Sequence, residues 1–216
     1  MDAAPAGVDL FVLPEMFTTG FSMRTAELAE RSPGETQRWL LEQARARDAA
    51  VTGSVMIRDG ERCCNRLLFA QPDGTLDFYD TRHLFRMGGE EPHYAAGDRS
   101  VIVSFRGIRI GLQVCYDLLL YVANWPAARA SAWRTLLAAR AIENQAVVAG
   151  VNRIGADGNR VAHQGDSVLH DPLGAVLMQA GAASGVFVAD LDLDAVQRVR
   201  QRFPAHLDAD PFTLAR

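Results

Sequence analysis

An α/β domain of layered sheets covered by helices is the fold class this sequence predicts, on three observations. Short apolar runs separated by turn residues dominate the chain. Two segments, one starting near Ser32 and one over 127–144, instead repeat their apolar residues at helical spacing. The 216 residues, 49% hydrophobic and 22% charged, suit one domain, 1–216, with a sizeable core.

The elements follow in order. Val8-Asp9-Leu10-Phe11-Val12-Leu13 reads as a strand ending at Pro14-Glu15. Ser32-Pro33-Gly34-Glu35 reads as a helix start, with Ser32 as N-cap and Glu35 at the capping-box position. Trp39, Leu40 and Ala44 then share one helix face. Strands are expected over 50–56, 65–70 and 75–79, the last two joined by a turn at Pro72-Asp73-Gly74. The helix over 127–144 carries Trp133, Leu136, Leu137 and Ala141 inward, with Arg129, Arg134 and Arg140 around the rest. Strands at 146–152, 167–171 and 185–191 complete the pattern, separated by turn residues at 155–159 and 171–174.

Residues 108–125, IRIGLQVCYDLLLYVANW, are too long an apolar run for one strand. Two parallel neighbours need a crossover of roughly a dozen residues, which the run does not contain. A connection is therefore expected to be missing between Asp117 and Leu118.

Composition narrows the function. A net charge of −4 gives no reason to expect a nucleic-acid or anionic-membrane partner. The N-terminus lacks a secretory signal's pattern, and no uncharged apolar run is long enough to span a membrane. Cys63, Cys64 and Cys115 show no metal-ligand or disulfide framework, which points to a reducing cytoplasm. The five histidines have no zinc spacing, so no metal is expected. All 22 basic residues are arginine; lysine does not occur.

Two strand ends carry chemistry: Cys115, after the strand at 108–114, and Glu15. A carboxylate beside a thiol can take its proton and leave a thiolate to attack a carbonyl. On position alone, Cys115 is equally a small buried hydrophobe, and Glu15 a carboxylate satisfying backbone N–H groups at a helix start.

The order and spacing of several motifs sharpen this. Leu13-Pro14-Glu15-Met16-Phe17, Arg82-His83-Leu84-Phe85-Arg86 with Gly89-Glu90, and Val114-Cys115-Tyr116-Asp117 resemble the nitrilase superfamily of carbon–nitrogen hydrolases. Asn124-Trp125-Pro126, Arg140-Ala141-Ile142-Glu143-Asn144, Gly165-Asp166-Ser167 and Arg202-Phe203-Pro204 extend the resemblance over nearly the whole chain, and the Arg-His-Leu-Phe and Asn-Trp-Pro signatures look like the bacterial omega-amidase branch. The resemblance implies a four-layer α-β-β-α sandwich, a homodimer, a small-molecule amide substrate of the 2-oxoglutaramate type and no cofactor. It makes Glu15 the general base, Cys115 the nucleophile and Glu90 a supporting glutamate. The Tyr116 N–H becomes an oxyanion donor and Trp125 a lining of the substrate pocket. Glu91 is expected to be solvated, Trp133 core and His83 structural.

Three departures stand against the family pattern. Thr81 occupies the position of the triad lysine. Arg82 does not replace that lysine, because adjacent side chains of an extended segment point to opposite faces. The segment that follows Cys-Tyr-Asp in the family does not follow Asp117, and a first strand and helix before the Glu15 strand are not present. Alternatives are therefore an impaired or inactive remnant serving as a structural or dimerisation module, or a Cys–His hydrolase using His83 or His163.

Overall fold

A computed structural model of the chain describes residues 1–82, 84, 89–114 and 120–204. Its first sheet runs β1 (Leu10–Val12), β3 (Ala50–Asp59), β4 (Arg62–Ala70), β5 (Leu76–Asp80). The short β2 (Glu30–Arg31) also lies parallel to β3, at the end opposite β1. The second sheet has the order β13 (Val176–Gly181), β12 (Ser167–His170), β9 (Val148–Asn152), β8 (Leu120–Ala123), β7 (Ile108–Val114), β6 (Val101–Phe105). Within it β7, β8 and β9 are parallel and the outer pairings antiparallel. A separate hairpin joins β10 (Ile154–Ala156) to β11 (Ala162–Gln164). The helices are α1 (Thr25–Leu28), α2 (Glu35–Arg47), α3 (Ala130–Glu143) and α4 (Leu193–Arg202), with a 3₁₀ turn at Ala127–Arg129 before α3.

Three apolar layers hold this together. Leu67, Phe69 and Tyr79 of the first sheet meet Val103, Phe105, Leu112 and Val122 of the second. Leu68 and Ala70, one residue out of phase, lie under Leu40 and Ala44 of α2. Tyr121 and Ala123 likewise lie under Trp133, Leu137 and Ala141 of α3. Successive strand residues face opposite sides, so β4 and β8 bury both faces and read as continuous apolar runs. The order is helix, sheet, sheet, helix. At Gly150 the α3 layer comes so close that a Cβ would stand 2.4 Å from Leu137 Cδ1 and 2.8 Å from Trp133 Cζ2, so only glycine fits.

Several elements differ from the sequence expectation. Gly34, not Ser32, is the N-cap of α2, and Gln37 Oε1, not Glu35, accepts the Gly34 N–H at 2.8 Å. The reason lies just upstream: the Glu30 carboxylate in β2 accepts the Thr36 N–H and hydroxyl, so the helix starts where those donors reach it. Trp39 and Leu136 are part-exposed rather than core, and Trp39 stacks at 6.0 Å on Phe17. The 185–191 segment is not a strand; it is exposed and has no partner strand among the described residues. It borders an open groove of about 1780 Å³ that also runs past Leu10, Val12 and Ile110. Strand β6 was not anticipated; Arg106 (φ 48°) and Gly107 (φ 79°) form the two-residue turn that pairs it with β7.

The run 108–125 divides into two parallel neighbours, β7 and β8, with Leu112 opposite Leu120. The expected break between Asp117 and Leu118 lies outside the described residues.

Candidate active site

Glu15 is carried into the sandwich by the segment that continues β1. Leu13 N–H donates to Thr52 O (2.8 Å), and beyond Glu15 the Phe17 N–H donates to Ser54 O (3.2 Å). Met16 adopts φ 46° and donates its N–H to Ser54 Oγ at 2.9 Å. Gly53 permits this path, since a Cβ there would meet Leu13 Cβ at 2.8 Å and Phe17 at 2.9 Å.

The Glu15 carboxyl is buried and held at both oxygens. Asn65 Nδ2 donates to Oε1 at 2.7 Å. The Asn124 backbone N–H donates to Oε2 at 2.6 Å, joined by Asn124 Nδ2 at 3.2 Å. Asn65 shares a face of β4 with Leu67 and Phe69, the face turned to the second sheet. Asn124 follows β8 directly, so Glu15 bridges the two sheets. Behind Asn124, Asn152 takes the Trp125 N–H on Oδ1 (2.8 Å) and donates Nδ2 to Trp125 O (3.1 Å), which fixes the backbone that presents the Asn124 N–H.

Burial raises the Glu15 pKa from 4.5 to about 7; the Asn124 backbone bond pulls it down, the Glu90 charge adds to the rise, and the Asn65 amide opposes it. A carboxyl of this kind shuttles a proton at neutral pH. Because the folded state holds this proton more tightly than the unfolded chain, stability is fully present below pH 4.5 and is lost as pH rises towards 7. The loss amounts to about 3 kcal/mol. Glu15→Gln is expected to remove it. Urea unfolding of both proteins across this range should show the wild type losing stability relative to the variant, and parallel curves would contradict the assignment.

Glu90 is also buried, whereas Glu91 is exposed. The Tyr94 hydroxyl donates to Ser22 O, and burial, with Glu90 and Glu15 nearby, raises its pKa. Thr81 is buried; its hydroxyl donates to Asn65 O at 3.2 Å, and its N–H bonds the same oxygen at 3.0 Å. The lysine-like position therefore adjoins the residue that grips Glu15, but its side chain is turned to backbone. Arg82 is exposed and reaches Ser100 Oγ at 3.1 Å. The Trp125 ring is buried against Trp133 (5.6 Å) and donates Nε1–H to Arg129 O at 2.7 Å. Trp133 is core, its Nε1–H on Asp166 O.

Cys115, Tyr116 and His83 lie outside the described residues. Val114, the last residue of β7, is opposite Val122, two residues before Asn124. Cys63 and Cys64 are buried and unbridged, and burial pushes the Cys64 thiol up to about 11, which leaves it unreactive at neutral pH. His163 is buried in β11, with no hydrogen-bond partner for Nδ1 among the described residues. No group of three His, Cys, Asp or Glu side chains suited to a metal occurs among the described residues.

Sequence reasoning missed Asn65 and the function of Asn124. Asn65 left a signal, an amide in a strand otherwise read as apolar. Its neighbour Arg66 is explained by a two-pronged ion pair with Asp80 (2.6 and 2.8 Å) and a third bond to Asp59.

An α-β-β-α sandwich with a buried, amide-held glutamate at the junction of its sheets defines a class of hydrolytic fold. The carbon–nitrogen hydrolase family model matches residues 1–201, and the chain belongs to that family. It is 50% identical to Omega-amidase YafV of Yersinia enterocolitica, over 95% of this chain and 86% of that protein. It is 32% identical to a 2-oxoglutaramate amidase of Bacillus subtilis, over 93% and 84%. A CN-hydrolase superfamily protein of Xanthomonas campestris, solved with an arsenic adduct in its active site, superposes with a TM-score of 0.92 at 45% identity, over 96% of this chain and 86% of that one.

Proposed function

We propose that this chain hydrolyses the terminal amide of small dicarboxylate monoamides of the 2-oxoglutaramate type, through a thioester on Cys115. The observation that carries the reading is Glu15: buried, held at both oxygens, and near pH 7 in its proton affinity. Relatives named as omega-amidase and 2-oxoglutaramate amidase support the substrate class.

In the cycle, Glu15 takes the Cys115 Sγ proton and the thiolate attacks the amide carbon. The oxyanion is met by the Tyr116 N–H. The C–N bond breaks as Glu15 returns its proton to nitrogen, and ammonia leaves. Glu15 then takes a proton from water, whose oxygen attacks the thioester. The C–S bond breaks, sulfur regains a proton from Glu15, and the free acid departs. Glu90 supports the site with a second carboxyl, and Trp125 belongs to the wall of the substrate pocket. The protein acts in the cytoplasm as a homodimer without a cofactor, and with neither nucleic acid nor membrane as partner. No helix among the described residues is long and apolar enough to cross a membrane.

A second reading, an impaired family member kept as a structural or dimerisation module, is favoured by one observation: Thr81 gives its hydroxyl to the Asn65 carbonyl and brings no positive charge to the oxyanion. Ammonia release from 2-oxoglutaramate and from succinamate, against monocarboxylic amides, separates the two. Slow but measurable release that prefers the carboxylate-bearing amides is expected. No release from any amide would favour the module.

A further inference from the structure

The two amides that hold Glu15 do so at a cost to themselves. Asn65 Oδ1 and Asn124 Oδ1 are both buried, and neither has a hydrogen-bond partner among the described residues. A buried acceptor left without a donor is destabilising, and such groups are few in folded proteins. Turning either amide over would only set its oxygen against the carboxylate. Among the described residues each side chain therefore gives its N–H donors to Glu15 and has no donor for its own carbonyl, an arrangement that stability alone does not favour.

From this geometry we infer that Asn65 and Asn124 are positioning residues, an amide clamp that fixes the plane of the Glu15 carboxylate and keeps its ionised form accessible inside the sandwich. The clamp spans the fold. Asn65 belongs to the first sheet and Asn124 to the second, so Glu15 is oriented only when the sheets are in register. The two halves are unequal. Asn65 contributes one side-chain donor to Oε1, whereas Asn124 contributes a side-chain donor and a backbone N–H to Oε2. Losing the Asn124 side chain leaves the 2.6 Å backbone bond in place; losing that of Asn65 leaves Oε1 without its amide. Among the described residues the titratable groups that face Glu15 are Glu90 and Tyr94, on the segment after β5. Removing a donor from the carboxylate acts in the same direction as the Glu90 charge.

The inference rests on Glu15 as the base of the proposed reaction, but its test does not need turnover. Protein labelled with ¹³C at glutamate carboxyls is titrated by NMR, with the Glu15 signal assigned from its loss in Glu15→Gln. The Glu15 midpoint is expected near 7 in the wild type. In Asn65→Leu it should rise by about one pH unit, the equivalent of one hydrogen bond to a charged group. In Asn124→Ala it should rise by less. Below pH 6, where Glu15 carries its proton, Asn65→Leu should match the wild type in thermal unfolding, because the variant also removes a buried oxygen that has no partner among the described residues. Asn65→Ala carries the same expectation for the midpoint should the leucine variant not fold. An unchanged or lowered midpoint in the folded Asn65 variants would overturn the clamp. So would a larger rise in Asn124→Ala than in Asn65→Leu. If no variant hydrolyses an amide but the midpoints shift as stated, the clamp stands and the amidase reading alone falls.

Discussion

Glu15→Gln is expected to lower omega-amide hydrolysis by about a thousandfold. General acid–base transfer by a positioned side chain contributes roughly 10²–10⁴, and in the proposed cycle one carboxyl makes every transfer. Glutamine keeps the size and the hydrogen-bonding reach of Glu15, so the Asn65 and Asn124 contacts are re-formed in part and the fold survives. What is lost is the group that takes the Cys115 proton and returns it to the leaving nitrogen. Steady-state kinetics of ammonia release decide the matter, with the loss expected in kcat rather than KM. A variant within tenfold of the wild type would remove Glu15 from the chemistry.

Thr81→Lys is expected to act in the opposite direction, raising hydrolysis at least tenfold. A hydroxyl donates a hydrogen bond but carries no charge, and it is several atoms shorter than a lysine side chain. Losing one oxyanion donor typically costs about 10²–10³ in kcat, or roughly 2.7–4 kcal/mol. The backbone at position 81 is fixed by the Thr81 N–H on Asn65 O and by the Gly97 N–H on Thr81 O, bonds that any side chain permits. A lysine there starts beside the Asn65 that grips Glu15, with two buried carboxyls, Glu15 and Glu90, to offset the cost of burying its charge. Comparing kcat/KM of both proteins on 2-oxoglutaramate checks this. No gain in a folded variant would place the defect elsewhere and favour the inactive module.

The layers and both long helices are legible in the sequence because their causes are local or periodic. Leu40 and Ala44 on α2, and Trp133, Leu137 and Ala141 on α3, recur at helical spacing and are buried as that spacing requires. The length of 108–125 announces two strands, and β7 and β8 divide it. What sequence reasoning missed depends on partners that the local patterns do not contain. The start of α2 is set by Glu30 on β2, which the Ser32 to Glu35 pattern does not contain. The segment 185–191 has a strand's composition, but a strand exists only where another pairs with it. At the site, the motif and the strand end single out Glu15, and the structure shows that carboxyl buried and held at both oxygens. The role of Asn65 was not, since 50 residues separate it from Glu15 and only sheet register brings the two together. Glu90 over Glu91 was a choice between neighbours that burial alone explains.

The claim at the centre of this account is a covalent thioester at Cys115 formed with the help of Glu15. The most direct measurement is mass spectrometry of the protein quenched in acid during incubation with 2-oxoglutaramate, in wild type and Thr81→Lys. The account predicts an increase equal to the substrate mass less ammonia on the peptide containing Cys115. The increase should be larger in the lysine variant if deacylation limits turnover there, and should not form in Cys115→Ala. Ammonia release that persists in Cys115→Ala, with no adduct on any protein, would contradict it.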